Sequence, residues 1–133
     1  GELAEIGVLG EVPTRLYAVQ GEGCAPVVRA WREGSEEARA WEAPETEAWG
    51  LRVPSALGDF LVLRALRASG GGAVAVPDEA MREGVRDLGA RAGVHAAVEG
   101  GATLAAAREL ARSGEIAEGE RVVLFNTAHG LVY

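Results

Sequence analysis

The segment SALGDFLVLRALRASGGGAVAVPDE, residues 55–79, constrains the architecture more than any other stretch of this chain. Leu57, Phe60, Leu61, Leu63 and Leu66 recur with the period of an α-helix. The spacing predicts an amphipathic helix opened by Ser55 and closed by Gly70, Gly71 and Gly72. Ala73–Val76 follows as an apolar run of strand length, and Pro77, Asp78 and Glu79 open a further helix to about Arg91. The two acids stand at that helix's positive end. A chain that passes from helix to strand to helix over such short distances must layer helices on a sheet.

The same alternation runs through the other segments. Arg15–Gln20, behind Pro13, reads as a strand, Gly21-Glu22-Gly23 as a turn, and Ala25–Glu33 as a helix with Pro26 in its first turn. His95–Val98 reads as a third extended run, Ala102–Arg112 as a helix ended by Gly114, and Val122–Phe125 as a short buried strand. Glu2–Leu9 has helical spacing, with Gly10 placed to stop it. Gly34–Glu47, acidic and carrying Pro44, reads as a loop and the most mobile region, pinned to the body by Trp41. The expected fold is α/β: three layers, with a mainly parallel sheet of about four strands and flanking helices. A length of 133 residues suits a single unit over residues 1–133.

Composition narrows the chemistry. A net charge of −7 repels a phosphate backbone, so nucleic acid is not expected as a partner. The single Cys24 excludes an intrachain disulfide, and the two histidines give no metal-ligand spacing, so no metal is expected. No apolar run approaches a membrane span, and Gly1–Glu5 lacks the basic start of a signal peptide, which points to the cytoplasm. All 13 basic residues are arginine, so no side chain here can act as an amine nucleophile.

The candidate motifs differ in weight. Ser69–Gly72 leaves a helix and enters a strand, the reverse of a phosphate cradle, and Gly21-Glu22-Gly23 puts a carboxylate where an anion would sit. Cys24 reads as a small buried residue, and the Glu99 acid is explained by the helix start that follows it. His129 lacks an orienting acid for a triad with Thr127. Asn126-Thr127-Ala128-His129-Gly130 carries amide, hydroxyl and imidazole groups at the carboxyl end of the last predicted strand, where α/β sheets bind ligands.

Three stretches taken together, RLYAVQGEGCAPVVRAW, EAWGLRVPSALGDFLVLRALRASGG and EGGATLAAARELARSGEIAEGERVVLFNTAHGLVY, resemble the C-terminal part of the threonine synthase family. That family belongs to the tryptophan-synthase-β-like, fold type II class of pyridoxal phosphate enzymes. Its members convert O-phosphohomoserine and water to threonine and phosphate, and related enzymes deaminate threonine or serine.

The resemblance implies pyridoxal 5'-phosphate as cofactor and assigns roles by position. Thr127 corresponds to the hydroxyl that meets the pyridine nitrogen. Gly50, in Trp49-Gly50-Leu51-Arg52, corresponds to a backbone passing beside the ring, where a side chain would crowd it. Glu99 and Gly100 correspond to a Pro-Glu-Gly turn lining the pocket, with Val98 in place of proline. The family's lysine, substrate-binding segment and phosphate loop precede the matched part, so this chain alone is expected to be inactive. The resemblance thus implies as partner the N-terminal half, or a second copy through an exposed sheet edge, in a homo-oligomer acting on a small amino-acid phosphate. The alternatives are a non-catalytic interaction or regulatory module on the same fold, or part of a threonine or serine dehydratase.

Overall fold

Two short strands organise the molecule, and the computed structural model describes them within residues 2–8, 10 and 14–131. β1 (Tyr17–Gly21) and β2 (Gly72–Val76) pair in parallel, Tyr17 opposite Gly72 and Gly21 opposite Val76. Their side chains alternate between two faces, as the pleat requires. On one face, Ala18 and Ala73 pack against Val27 and Ala30 of α2 (Pro26–Arg32) and Leu63 and Leu66 of α3 (Asp59–Ser69). On the other, Tyr17, Val19, Val74 and Val76 meet Met81 of α4 (Asp78–Ala92) and Ala102, Ala106 and Leu110 of α5 (Val98–Arg112). The outcome is an α/β unit with a parallel sheet between two helical layers. A first short helix, α1 (Glu2–Glu5), precedes it.

Local chemistry explains the boundaries. α3 ends where Gly70 turns left-handed at φ 65°, its N–H reaching the Leu66 and Arg67 carbonyls; Gly93 does the same for α4 at φ 66°. α4 and α5 cross at Gly84 and Gly101, so close that a Cβ on Gly84 would meet the Gly101 carbonyl and one on Gly101 the Met81 carbonyl. Only glycine lets the two backbones approach this far.

Several expectations are corrected. The sheet has two strands among the described residues, not four. Val122–Phe125 forms no strand: none of its backbone groups bonds to another backbone group among the described residues, and Val123 is 79% and Phe125 75% exposed. His95–Val98 contributes only the isolated bridge between Ala96 and His129, and Val98 already begins α5. Glu99 and Gly100 therefore lie in the first turn of α5 rather than in a turn before it. α3 starts at Asp59 behind Gly58 with no side-chain cap, so Ser55 does not open it; Asp59 instead accepts the Ala38 N–H. α1 stops at Glu5; Leu9, the predicted helix end, and Pro13, ahead of the first predicted strand, lie outside the described residues.

The 34–47 stretch is irregular, as expected, yet tied down. Trp41 donates its N–H to Pro54 at 2.8 Å and lies beneath the Arg29 guanidinium at 4.9 Å, while Glu45 donates to Gly23 at 3.0 Å. A Cβ on Gly23 would occupy the Glu45 carbonyl, which explains the glycine of that turn. No helix among the described residues is long and apolar enough to cross a membrane.

Candidate functional site

The sheet, α5 and the C-terminal segment enclose a cleft of about 1050 Å³. It is lined by Tyr17 and Val19 of β1, by Thr103 and Ala106 of α5, and by residues 120–125, 127 and 128. Gly50, Leu51 and Glu99 line it as well.

Each of these parts has a local cause. The Trp49–Leu51 turn is carried by a strap over the N-terminus of α4: the Thr46 hydroxyl donates to Asp78, which also accepts the Glu47 N–H at 2.9 Å. At the turn itself, the Gly50 N–H donates to Glu99 Oε1 at 2.8 Å. Glu99 is only 9% exposed, and its acid sits in the first turn of α5, where the helix dipole favours negative charge. The C-terminal segment is clasped by two bonds, Ala97 N–H to the Ala128 carbonyl at 3.1 Å and Gly130 N–H to the His95 carbonyl at 2.9 Å. The His95 and His129 rings meet edge to face at 4.8 Å, and His129 Nδ1 accepts the Leu131 N–H. That engagement gives His129 a structural place in the clasp.

Of the four residues assigned by resemblance, Thr127, Gly50 and Glu99 line the one cleft, although 77 positions separate Gly50 from Thr127. Gly100 does not line it; it packs behind, where a Cβ would meet Asn126 Oδ1 and the Ala96 methyl. A Cβ on Gly50 would come within 3.0 Å of Glu99 Oε1, so the crowding there is with Glu99. Asn126 and Gly130 shape the clasp: a Cβ on Gly130 would lie 2.7 Å from the His95 ring.

Two features were not anticipated. Thr103 lines the cleft and donates to the Gly100 carbonyl at 2.8 Å; its position one helical turn beyond Glu99 was a usable signal. Arg15 grips the Glu120 carboxylate at 2.8 and 2.9 Å and touches the Tyr17 hydroxyl, closing one end of the cleft. Nothing in the sequence announces a pair 105 positions apart. Glu120 is held below the usual carboxylate range, first by the Ala117 N–H and then by Arg15. Burial pushes the Tyr17 phenol up, and Glu115 and Glu120 add to the effect against Arg15.

A family model for pyridoxal-phosphate dependent enzymes matches residues 4–128. The chain belongs to this family. Among curated relatives, the threonine synthase of Methanocaldococcus jannaschii is 30% identical over 125 residues, covering 94% of this chain and 31% of its own length. That of Methanosarcina acetivorans is 31% identical over 128 residues, covering 96% and 31%. This pyridoxal-phosphate family chain thus spans about a third of the length of the curated relatives it matches. The crystal structure of the T.th. threonine deaminase superposes with a TM-score of 0.62 at 25% identity, over 83% of this chain and 38% of that one.

The residues present suit one side of the family's cofactor. An exposed neutral hydroxyl, Thr127, and the Gly50 backbone border the same apolar cleft, as a planar ring with a single nitrogen requires. The attachment side has no counterpart here, because none of the chain's basic residues is a lysine.

Proposed function

We propose that this chain is the C-terminal share of a threonine synthase, acting within a complete enzyme on O-phosphohomoserine and water to give threonine and phosphate. The observation that carries the reading is the convergence of Thr127, Gly50 and Glu99 on one cleft in a chain similar to threonine synthases along nearly all its length. Thr127 would hold the pyridine nitrogen through its hydroxyl, and the Gly50 backbone, pinned by Glu99, would border the ring. When bound, the cofactor supplies an electron sink. A neutral hydroxyl, unlike a carboxylate, does not keep the ring nitrogen protonated, which moderates that sink and favours elimination and replacement over transamination. With no lysine in this chain, covalent attachment and its proton transfers would fall to the remainder of the enzyme. By itself the chain is then inactive.

In the complete enzyme, Thr127→Val removes the hydroxyl with little change of volume; a fall in kcat of tenfold or more, with unfolding behaviour preserved, is the expected result. Unchanged turnover removes Thr127 from the site. Pyridoxal phosphate added to the isolated chain should give no absorbance of a lysine-bound cofactor, and such a band would contradict the division of labour. A second reading, part of a threonine or serine dehydratase, is supported by the likeness to threonine deaminase. Release of ammonia from threonine, without phosphate release from O-phosphohomoserine, would select it.

A further inference from the structure

Among the described residues, Thr46 and Glu99 are the two buried side chains that carry a polar or charged group. Burying such a group costs free energy unless it is hydrogen-bonded, and once bonded it stiffens whatever it holds. Both hold the same stretch of chain. Glu99 accepts the Gly50 N–H, while the Thr46 hydroxyl accepts the Ala48 N–H at 3.2 Å and donates to Asp78, the first residue of α4. Asp78 also accepts the Glu47 N–H. The strap rests on the carboxyl ends of both strands, the end at which α/β sheets bind ligands. Gly21, the last residue of β1, lies so close that an added Cβ would stand 2.9 Å from Thr46 Oγ1, and Asp78 follows two residues after Val76 of β2. The Arg82–Glu47 ion pair outside the strap is exposed on both sides and worth little, so anchorage on α4 falls to Asp78.

We propose that Thr46 and Asp78 are positioning residues for the cofactor: their contact fixes where the Trp49–Leu51 turn lies against the cleft, and so how the Gly50 backbone borders the ring. The proposal rests on the reading of Gly50 and Thr127 as neighbours of that ring. Neither Thr46 nor Asp78 lines the cleft, so their effect passes through the turn. Ala48 is the link. Its N–H is held by Thr46, its methyl is fully buried in the core cluster of Met81 and Ala102, and its carbonyl accepts the Leu51 and Arg52 N–H groups at 2.9 and 3.1 Å. The turn that carries Gly50 is therefore built on Ala48, and a shift of Ala48 moves Gly50 with it. A misplacement of about 1 Å in a site can cost on the order of a hundredfold in function.

Two measurements test this. In the full 133-residue chain, Thr46→Val removes the hydroxyl with little change of volume, and hydrogen exchange at Ala48 and Gly50 should speed at least tenfold more than in the middle of α5. In the complete enzyme, freed of its cofactor and titrated with pyridoxal phosphate, the same variant should raise the Kd at least tenfold, and Thr46→Ser, which keeps the hydroxyl, should restore it. Asp78→Ala removes the other partner and carries the same test should Thr46→Val not fold. The double variant should lose no more than the weaker single one, because both act through one contact. Leu63→Ala, which loosens the core away from the cleft, should leave the Kd unchanged. Unchanged exchange at Gly50, or an equal rise in Kd for Leu63→Ala, would overturn the proposal. A rise in Kd for Thr127→Val but not for Thr46→Val would overturn it while leaving the cofactor assignment standing. If neither variant alters the Kd, the assignment itself falls and the proposal with it.

Discussion

At the scale of single residues, the site is held by contacts that can be removed one at a time. Glu99→Ala would leave the Gly50 N–H without its acceptor on the cleft wall, at a cost of about 1–3 kcal/mol in urea unfolding. Gly50→Ala should cost less, about 1 kcal/mol, because its Cβ meets the movable Glu99 side chain at 3.0 Å rather than backbone. An equal or larger cost for Gly50→Ala would show that the turn itself cannot yield. Cys24 is fully buried, and that burial pushes its thiol up. It should resist a thiol reagent in native buffer and react once the chain is unfolded in urea; prompt native labelling would contradict this packing. The same residue-level view explains why Thr127 stood out and Thr103 did not: one lies in a polar cluster, the other in an alanine-rich helix.

Among elements, the contact of α4 with α5 governs how the first turn of α5 is placed, and with it Glu99. Gly84→Ala and Gly101→Ala each push a methyl into opposing backbone, which cannot move as a side chain can, so each should destabilise by about 3 kcal/mol. Leu63 of α3, fully buried against α2, should cost about 2–5 kcal/mol on truncation to alanine without touching the cleft. Asp87 of α4 joins α5 through a hydrogen bond from Arg108, the leading reason its carboxyl lies below the ordinary range. A lowered carboxyl contributes stability above its unfolded value and loses it as pH falls through the folded one. Acid unfolding should therefore steepen below about pH 4, and Asp87→Asn should flatten that limb in a pH series of melting temperatures. An identical acid limb in the variant would show that the pair contributes nothing to the crossing.

For the whole molecule, stability should be uneven, because the two-stranded sheet is covered by helices while the C-terminal segment has no partner strand among the described residues. In the isolated chain, amides of β2 and of the middle of α5 should exchange slowest and residues 121–127 fastest, and limited proteolysis should cut first within 121–127. Uniform protection would refute that picture. The helix and strand order up to α4 was legible in the residues alone, since apolar spacing and glycine stops act locally, and that alternation implied the parallel pairing and the two helical layers. The resemblance it carries also pointed to Thr127, Gly50 and Glu99. Val122–Phe125 shows where local reasoning ends: four apolar residues favour an extended backbone, but a strand exists only when a neighbour takes its hydrogen bonds. His95–Val98 failed likewise, its last residue being drawn into α5. That Glu99 reaches Gly50, that Gly100 packs behind the cleft and that Arg15 meets Glu120 was not legible locally, because these depend on distances between segments far apart in the chain.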